Sequence, residues 1–358
     1  MVPEVQAMPG NQAGHDGADA ARFRKAAEIL AMPPYIPDPD LPALLLKRHY
    51  GLTGTITTLS SEFERTLAVV LPDGRQLILK MSDAPEAADS FRFQAATMAA
   101  LRNSPGFSAP HILETSGGEM MFSQDGVCGY LQSRIEGVPL HAVTPSSGLS
   151  LEVGKALARL DLALKAFDAP ASHRPVLWNI GSWPWLVDLM QYVPAGPVAD
   201  QVRTAMLDYM ERIQPQIANL DWQVTHNDPS PFNMFQTSEG IGFIDFGDGG
   251  WNPGIQDLVI AASHFVTDPS LPLGGAERII AGYNSARPLS TLESNLLVGM
   301  IRARQSALIL INYWRASLFP GDAQYITKNV RRAEQGLSIL SALDSTSGAA
   351  AMQAAISP

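Results

Sequence analysis

Three polar side chains within residues 225–257 could together move a phosphoryl group. The stretch opens Thr-His-Asn-Asp-Pro-Ser-Pro-Phe-Asn-Met-Phe and continues, after a short gap, as Gly-Phe-Ile-Asp-Phe-Gly-Asp. Phosphoryl transfer needs a carboxylate that orients or deprotonates an acceptor hydroxyl, and two oxygen ligands that hold Mg2+ on the nucleotide phosphates. Asp228, Asn233 and Asp245 fit those roles in that order. The spacing has a geometric rationale: two apolar-rich runs, 233–236 and 241–244, flank Thr237-Ser238-Glu239-Gly240, a hairpin loop ending in glycine. Pairing Gln236 with Ile241 puts Asn233 opposite Ile244 and Asp245 one position beyond, so both ligands reach one end of the hairpin. An unpartnered carboxylate beside such an apolar run is costly to bury and calls for a cation. The alternative is that Asp245 only opens a turn in Asp-Phe-Gly-Asp-Gly-Gly.

The combination favours chemistry. His226-x-Asp228-x-x-x-x-Asn233 has the spacing of a kinase catalytic loop, and Asp245-Phe246-Gly247 has that of the metal-binding Asp-Phe-Gly. On these residues the chain resembles the aminoglycoside phosphotransferase and choline kinase superfamily, which shares the kinase fold and phosphorylates small molecules. Asn227 stands where protein kinases usually carry arginine, and no Ala-Pro-Glu follows Asp245. His-Asn-Asp, Ile-Asp-Phe-Gly-Asp and Pro253-x-x-x-Asp257-Leu258 are most similar to the hydroxylysine kinase branch. The resemblance covers about 41–343. It implies an α+β, protein-kinase-like bilobal fold with an antiparallel-sheet N-lobe and a mostly helical C-lobe, ATP or GTP as donor, and Mg2+ as cofactor. It also implies that Asp228 accepts the hydroxyl proton, that His226 supports its loop, and that Asp257 braces the loop or caps the next helix. Asp248 and Trp251 fall on the acceptor side.

The elements that must position these residues can be read upstream. Runs 55–59, 66–71 and 76–80 are β-rich, and Pro72-Asp73-Gly74 turns the chain between the last two. Lys80 ends the third run; it is either an exposed strand-end lysine or, as in the kinase fold, the lysine on the nucleotide phosphates. The first loop, Ser60-Ser61-Glu62-Phe63-Glu64-Arg65, has no Gly-x-Gly-x-x-Gly, so Ser60 and Ser61 take the phosphate-covering role. Asp83, Pro85 and Glu86 suggest a capped helix running to about Arg102. Kinases place an acid on that helix against the strand lysine, but the position fourteen residues after Lys80 is Gln94. This departure is the argument for a second reading, a catalytically silent nucleotide- or metabolite-binding homologue. Two further strands, 120–122 and 129–135, lead to an interlobe hinge whose backbone would read the base.

From residue 150 onward the pattern is helical, with amphipathic stretches at 151–167 and 198–217. Between them lie Trp178, Trp183 and Trp185, read either as packing aromatics or, by the resemblance, as the edge of the acceptor pocket. Relatives of the hydroxylysine kinase branch often have Trp-Asp where this chain has Trp178-Asn179, and a neutral Asn binds ammonium less strongly. In the helix 292–314, Arg304 shares the apolar face of Leu297, Met300, Ile301, Leu308 and Ile311, while Arg302 points to the polar side. An arginine there needs an anion, either an internal acid or a substrate carboxylate.

Composition sets the bounds. The 358 residues are 46% hydrophobic and carry a net charge of −10, which argues against nucleic acid or an anionic membrane as partner. A single cysteine, Cys128, excludes an internal disulfide, and seven histidines without ligand spacing argue against zinc. No basic region followed by an apolar run opens the chain, so a cytoplasmic location is expected, with a homodimer as an open assembly. The division is a flexible N-terminal segment and lead-in at 1–40, disordered to about Ala20; a nucleotide-binding lobe at 41–135; a helical lobe with the acceptor site at 136–344; and a flexible tail at 345–358.

Overall fold

The structure is a computed structural model describing residues 16–33, 35–59, 61 and 64–357. Two helices, α1 (Asp16–Leu30) and α2 (Leu41–Tyr50), precede the first strands, β1 (Thr55–Thr58), β2 (Arg65–Val70) and β3 (Gln76–Ser82). Between β2 and β3 the Leu71 amide donates to the Arg75 carbonyl at 2.9 Å and Gly74 takes φ +88°, a conformation that suits glycine. After α3 (Ala87–Leu101), β4 (Ile112–Leu113), β5 (Phe122–Gln124) and β6 (Val127–Ser133) complete an antiparallel sheet ordered β1-β2-β3-β6-β4, with β5 also on β6. Leu45 and Leu46 of α2 join Leu67, Val69, Leu79 and Leu131 in a core separate from the larger helical one. The architecture is the bilobal, kinase-like one expected.

The remainder is mostly helical: α4 (Ser147–Lys165), a 3-10 run at Ile180–Tyr192, α5 (Pro197–Asp208), α6 (Gln214–Ile217), α7 (Gln256–Phe265), α8 (Glu277–Ala286), α9 (Thr291–Leu318), α10 (Ala323–Ile326), α11 (Val330–Ser341) and α12 (Ser345–Ile356). Two small antiparallel sheets lie within it. One pairs β7 (Val138–Pro139) with β9 (Met234–Thr237), and β9 with β10 (Gly240–Phe243). In the other, β8 (Trp222–Thr225) pairs with β11 (Gly250–Pro253). Gln236 lies opposite Ile241 as the hairpin pattern requires, and the Ile244 amide donates to the Asn233 carbonyl at 2.9 Å. Because Thr225 faces Gly250, the segments after β8 and before β11 meet at the same place.

Several boundaries differ from the expected ones, and the strands expected at 120–122 and 129–135 run Phe122–Gln124 and Val127–Ser133. Residues 16–30, in the segment expected to be a flexible lead-in and disordered to about Ala20, form α1, because Phe23, Ala26, Ala27 and Leu30 bury one face of it. Residues 345–356 form α12, an alanine-rich helix capped by the Asp344 side chain on the Ser347 amide at 2.7 Å, with Ala351 and Met352 buried. α3 starts at Ala87 without the anticipated capping box: Ala84 to Ala87 closes a turn, and Glu86 pairs instead with Lys25 at 2.5 Å. The stretch 198–217 is α5 and α6 joined by a π-turn at Tyr209–Ile213.

The crossing of α4 and α8 has no side-chain cushion. A Cβ on Gly154 would lie 2.1 Å from the Ile279 carbonyl oxygen, and one on Gly282 would lie 2.1 Å from that of Leu151. Gly154→Ala should therefore lower stability by about 1–3 kcal/mol or more although alanine is the better helix former. Urea unfolding measures this; a neutral or stabilised variant would show that the helices are not so tightly apposed.

Candidate active site

The loop that carries Asp228 is held from beneath by one buried carboxylate. Asp257, in the first turn of α7 and without solvent exposure, accepts from the His226 amide on Oδ2 and from the Asn227 amide on Oδ1, both at 2.7 Å. Burial raises the Asp257 carboxyl, while His226 and these two amides pull it down. The His226 ring ties the loop to the chain before Asp245: Nε2 donates to the Ile244 carbonyl at 2.9 Å and Nδ1 accepts from the Asp228 amide at 3.2 Å. Both bonds together require the neutral tautomer with its proton on Nε2, and burial depresses the His226 pKa in the same sense. Asn227 takes φ +63°, unusual for a residue with a side chain. Its amide is fixed by Asn179, the Asp248 carbonyl and Gln256, each at 2.9 Å.

Lys80 forms a second centre. It is 4% exposed, and its Nζ donates to Glu64, to Asp245 at 2.8 Å and to Gln94 at 3.4 Å. Gln94 in turn donates to Glu64 at 3.2 Å and accepts from the Tyr130 hydroxyl at 2.7 Å. Gln94 thus faces the lysine, which also has two acidic partners, Glu64 from the loop between β1 and β2 and Asp245. Burial alone would depress the ammonium; the Asp245 and Glu64 carboxylates outweigh it and hold the pKa well above the usual lysine value. Nothing in the spacing of Glu64 marks it, because a loop acid reaches a strand lysine only through the fold.

A cleft of about 1020 Å3 joins these centres; Ser61, Glu64, Lys80, Asp228, Asn233, Asp245 and Asp248 all line it. Ser60 lies outside the described residues. The Asn233 amide nitrogen donates to Asp228 Oδ2 at 2.6 Å and to its carbonyl at 3.1 Å, which leaves the amide oxygen as the atom for a cation. Asp245 takes φ +63° and keeps its side chain 46% exposed. Amide and carboxylate oxygens suit a hard divalent ion that draws its other ligands from phosphate and water. Among the described residues no cluster of three or more His, Cys, Asp or Glu could hold a metal unaided.

The acceptor-side residues divide. Trp178 lines the cleft, and its ring lies 5.1 Å from the Arg304 guanidinium. Arg304 is 5% exposed; its Nε and Nη1 have no hydrogen-bond partner, and no ion pair to it occurs among the described residues. Burial lowers its pKa, opposed by the charges of Asp228 and Asp248. Two of the expected contacts lie elsewhere. Asn179 is buried in an amide network with Asn227 and Asn252, and Trp251 packs its ring on His173, 5.3 Å between centroids. Trp183 and Trp185 are core residues. Sequence reading missed His264, which lines the cleft: Arg332 donates to its Nδ1, so its proton sits on Nε2, a buried donor without a partner. It also missed Arg174, which donates to the Gly247 carbonyl and covers the Phe93 ring at 4.3 Å.

A family model described as "Phosphotransferase enzyme family" matches residues 55–289. The hydroxylysine kinase of Danio rerio is 22% identical over 316 residues, covering 83% of this chain and 89% of that protein. A homoserine kinase of Rhodopseudomonas palustris is 26% identical over 275 residues, 75% of this chain and 81% of that one. Among solved structures, an amicoumacin kinase in complex with AMP-PNP and Ca2+ superposes with a TM-score of 0.62 at 15% identity, covering 82% of this chain and 93% of its own.

Removing the Asp257 carboxylate should strand two buried amides. Asp257→Ala is expected to lose roughly 2–6 kcal/mol of stability, about 1–3 kcal/mol per orphaned donor. Denaturant unfolding tests this, and a loss below about 1 kcal/mol would mean that the loop holds its shape without the brace.

Proposed function

This chain belongs to the phosphotransferase enzyme family and is a small-molecule kinase acting on a hydroxyl group, and from that premise we propose that it transfers the γ-phosphoryl group of ATP or GTP to a hydroxyl of a small amino-containing metabolite, with a hydroxy amino acid as the acceptor. The observation that carries the reading is the convergence of Asp228, Asn233, Asp245 and a charge-paired Lys80 in one cleft. Asp228 orients the acceptor hydroxyl and takes its proton as the hydroxyl oxygen bonds to the γ-phosphorus, while the bond from that phosphorus to the β–γ bridging oxygen breaks and the nucleoside diphosphate leaves. Asn233 and Asp245 would hold Mg2+, which would neutralise charge on the donor phosphates. Lys80 contacts the same phosphates, and the 132–135 backbone reads the base. The Lys80–Glu64 ion pair supports this reading over the catalytically silent alternative, which rested on Gln94.

The acceptor assignment rests on Arg304. With no ion pair to it among the described residues and two unsatisfied donors beside the His264 donor, it calls for a ligand anion with more than one oxygen, and a carboxylate fits. The relatives include kinases named for hydroxylysine and homoserine, both hydroxy amino acids, which supports the same choice.

Two experiments follow. Asp228→Asn should fold, bind nucleotide as the wild type does and lose about 10²- to 10⁴-fold in kcat; near-normal turnover would remove the assignment. Arg304→Met should narrow the preference for hydroxy amino acids over the matching amino alcohols, which the wild type should show at roughly 30-fold or more in kcat/KM. An unchanged ratio in a folded variant would show that Arg304 does not read the acceptor.

A further inference from the structure

Helix α1 lies ahead of the stretch that the family model matches, so nothing in that likeness gives it a role. Three observations do. The first is its pair of anchors: Lys25 pairs with Glu86 at the start of α3, and Arg22 donates to the Arg174 carbonyl at 3.3 Å on the helical side of the cleft. The second is where these anchors lie. Arg174 bonds to Gly247, two residues from Asp245, and packs on Phe93 of α3, whereas the segment assigned to the base is 132–135. α1 therefore sits at the phosphate and acceptor end of the cleft. The third is its inward face: Ala26, Ile29 and Leu30, spaced i, i+3 and i+4, line the cleft together with Met32.

We propose that α1 is a wall of the acceptor site and that Ile29 and Met32 set which acceptors the site takes. The inference rests on the phosphotransfer reading above and deepens it. The polar demands of an acceptor are met at Asp228 and Arg304; what α1 adds is apolar surface, which rewards methylene groups between the reacting hydroxyl and the charged end. The class selected is thus an acceptor with an aliphatic segment, its length limited by two half-buried side chains that the sheet and the helical lobe do not provide.

Ile29→Ala and Met32→Ala test this, because shortening a half-buried side chain leaves the α1 anchors in place. The probes are straight-chain hydroxy amino acids of increasing length, from serine and homoserine to 5-hydroxynorvaline and 6-hydroxynorleucine. For each, kcat/KM is measured with Mg·ATP, and acceptor binding is measured by calorimetry in the presence of Mg·ADP. The expected result is a shift of the longer-to-shorter preference by about 10-fold toward longer acceptors, the size of effect that one methylene has in a pocket, in both readouts and with nucleotide affinity unaltered. A preference unchanged in both variants, or a change in nucleotide affinity alone, would overturn the proposal. Wild-type protein that binds the series but phosphorylates none of it would instead count against the phosphotransfer reading, with the calorimetric preference still deciding the role of α1.

Discussion

Two consecutive backbone amides, of His226 and Asn227, end on the two oxygens of one carboxylate in a place closed to solvent, and the geometry of the site depends on that arrangement. An unsatisfied amide in such surroundings is costly, so the loop has little freedom to relax while Asp257 is present. The strain of Asn227 at φ +63° persists because its side chain is held on three sides. Below Asp257 lies Asp161 of α4, also fully buried, whose Oδ2 accepts from the Tyr283 hydroxyl at 2.5 Å. Burial and the nearby Asp257 push the Asp161 carboxyl well above its usual value, so a neutral Asp161 is what allows a second acid so close to the brace.

The Lys80 cluster shows how one electrostatic requirement can be met from a different part of the chain. A buried ammonium needs anionic or dipolar partners on several sides. Here Asp245 approaches from the end of the hairpin, Glu64 from the β1–β2 loop, and Gln94 from α3, with the Gln94 amide nitrogen donating to Glu64 and its oxygen accepting a hydrogen bond from the Tyr130 hydroxyl. The neutral residue on α3 thus acts as a bracket between the lysine and its acid.

The parts of the site that are close in sequence were legible there. The hairpin register followed from period-two patterning and a short loop, and it placed Asn233 and Asp245 together before any tertiary information was used. The large elements were legible for the same reason, since β2, β3, α4 and α9 each carry a sustained period. What escaped depends on contacts between distant segments. Glu64 meets Lys80, His264 meets Arg332, and Asn179 turns to Asn252, each across a separation that propensity and spacing do not encode. α1 escaped because the Gly-, Ala- and Pro-rich residues ahead of it masked an alanine-rich helix former whose apolar face, Phe23, Ala26 and Ala27, is buried in the fold.

The glycine-on-glycine crossing of α4 and α8 bears on how the molecule can move. Backbones in direct apposition cannot slide without a steric collision, so these two helices behave as a single beam. Asp161 on α4, Tyr283 on α8 and, through them, the Asp257 end of α7 are mounted on that beam. α1, tied to Glu86 ahead of α3 and to the Arg174 carbonyl, bridges two sides of the same cleft. The loop that carries Asp228 is thus registered, through Asp257, against two helices packed backbone to backbone.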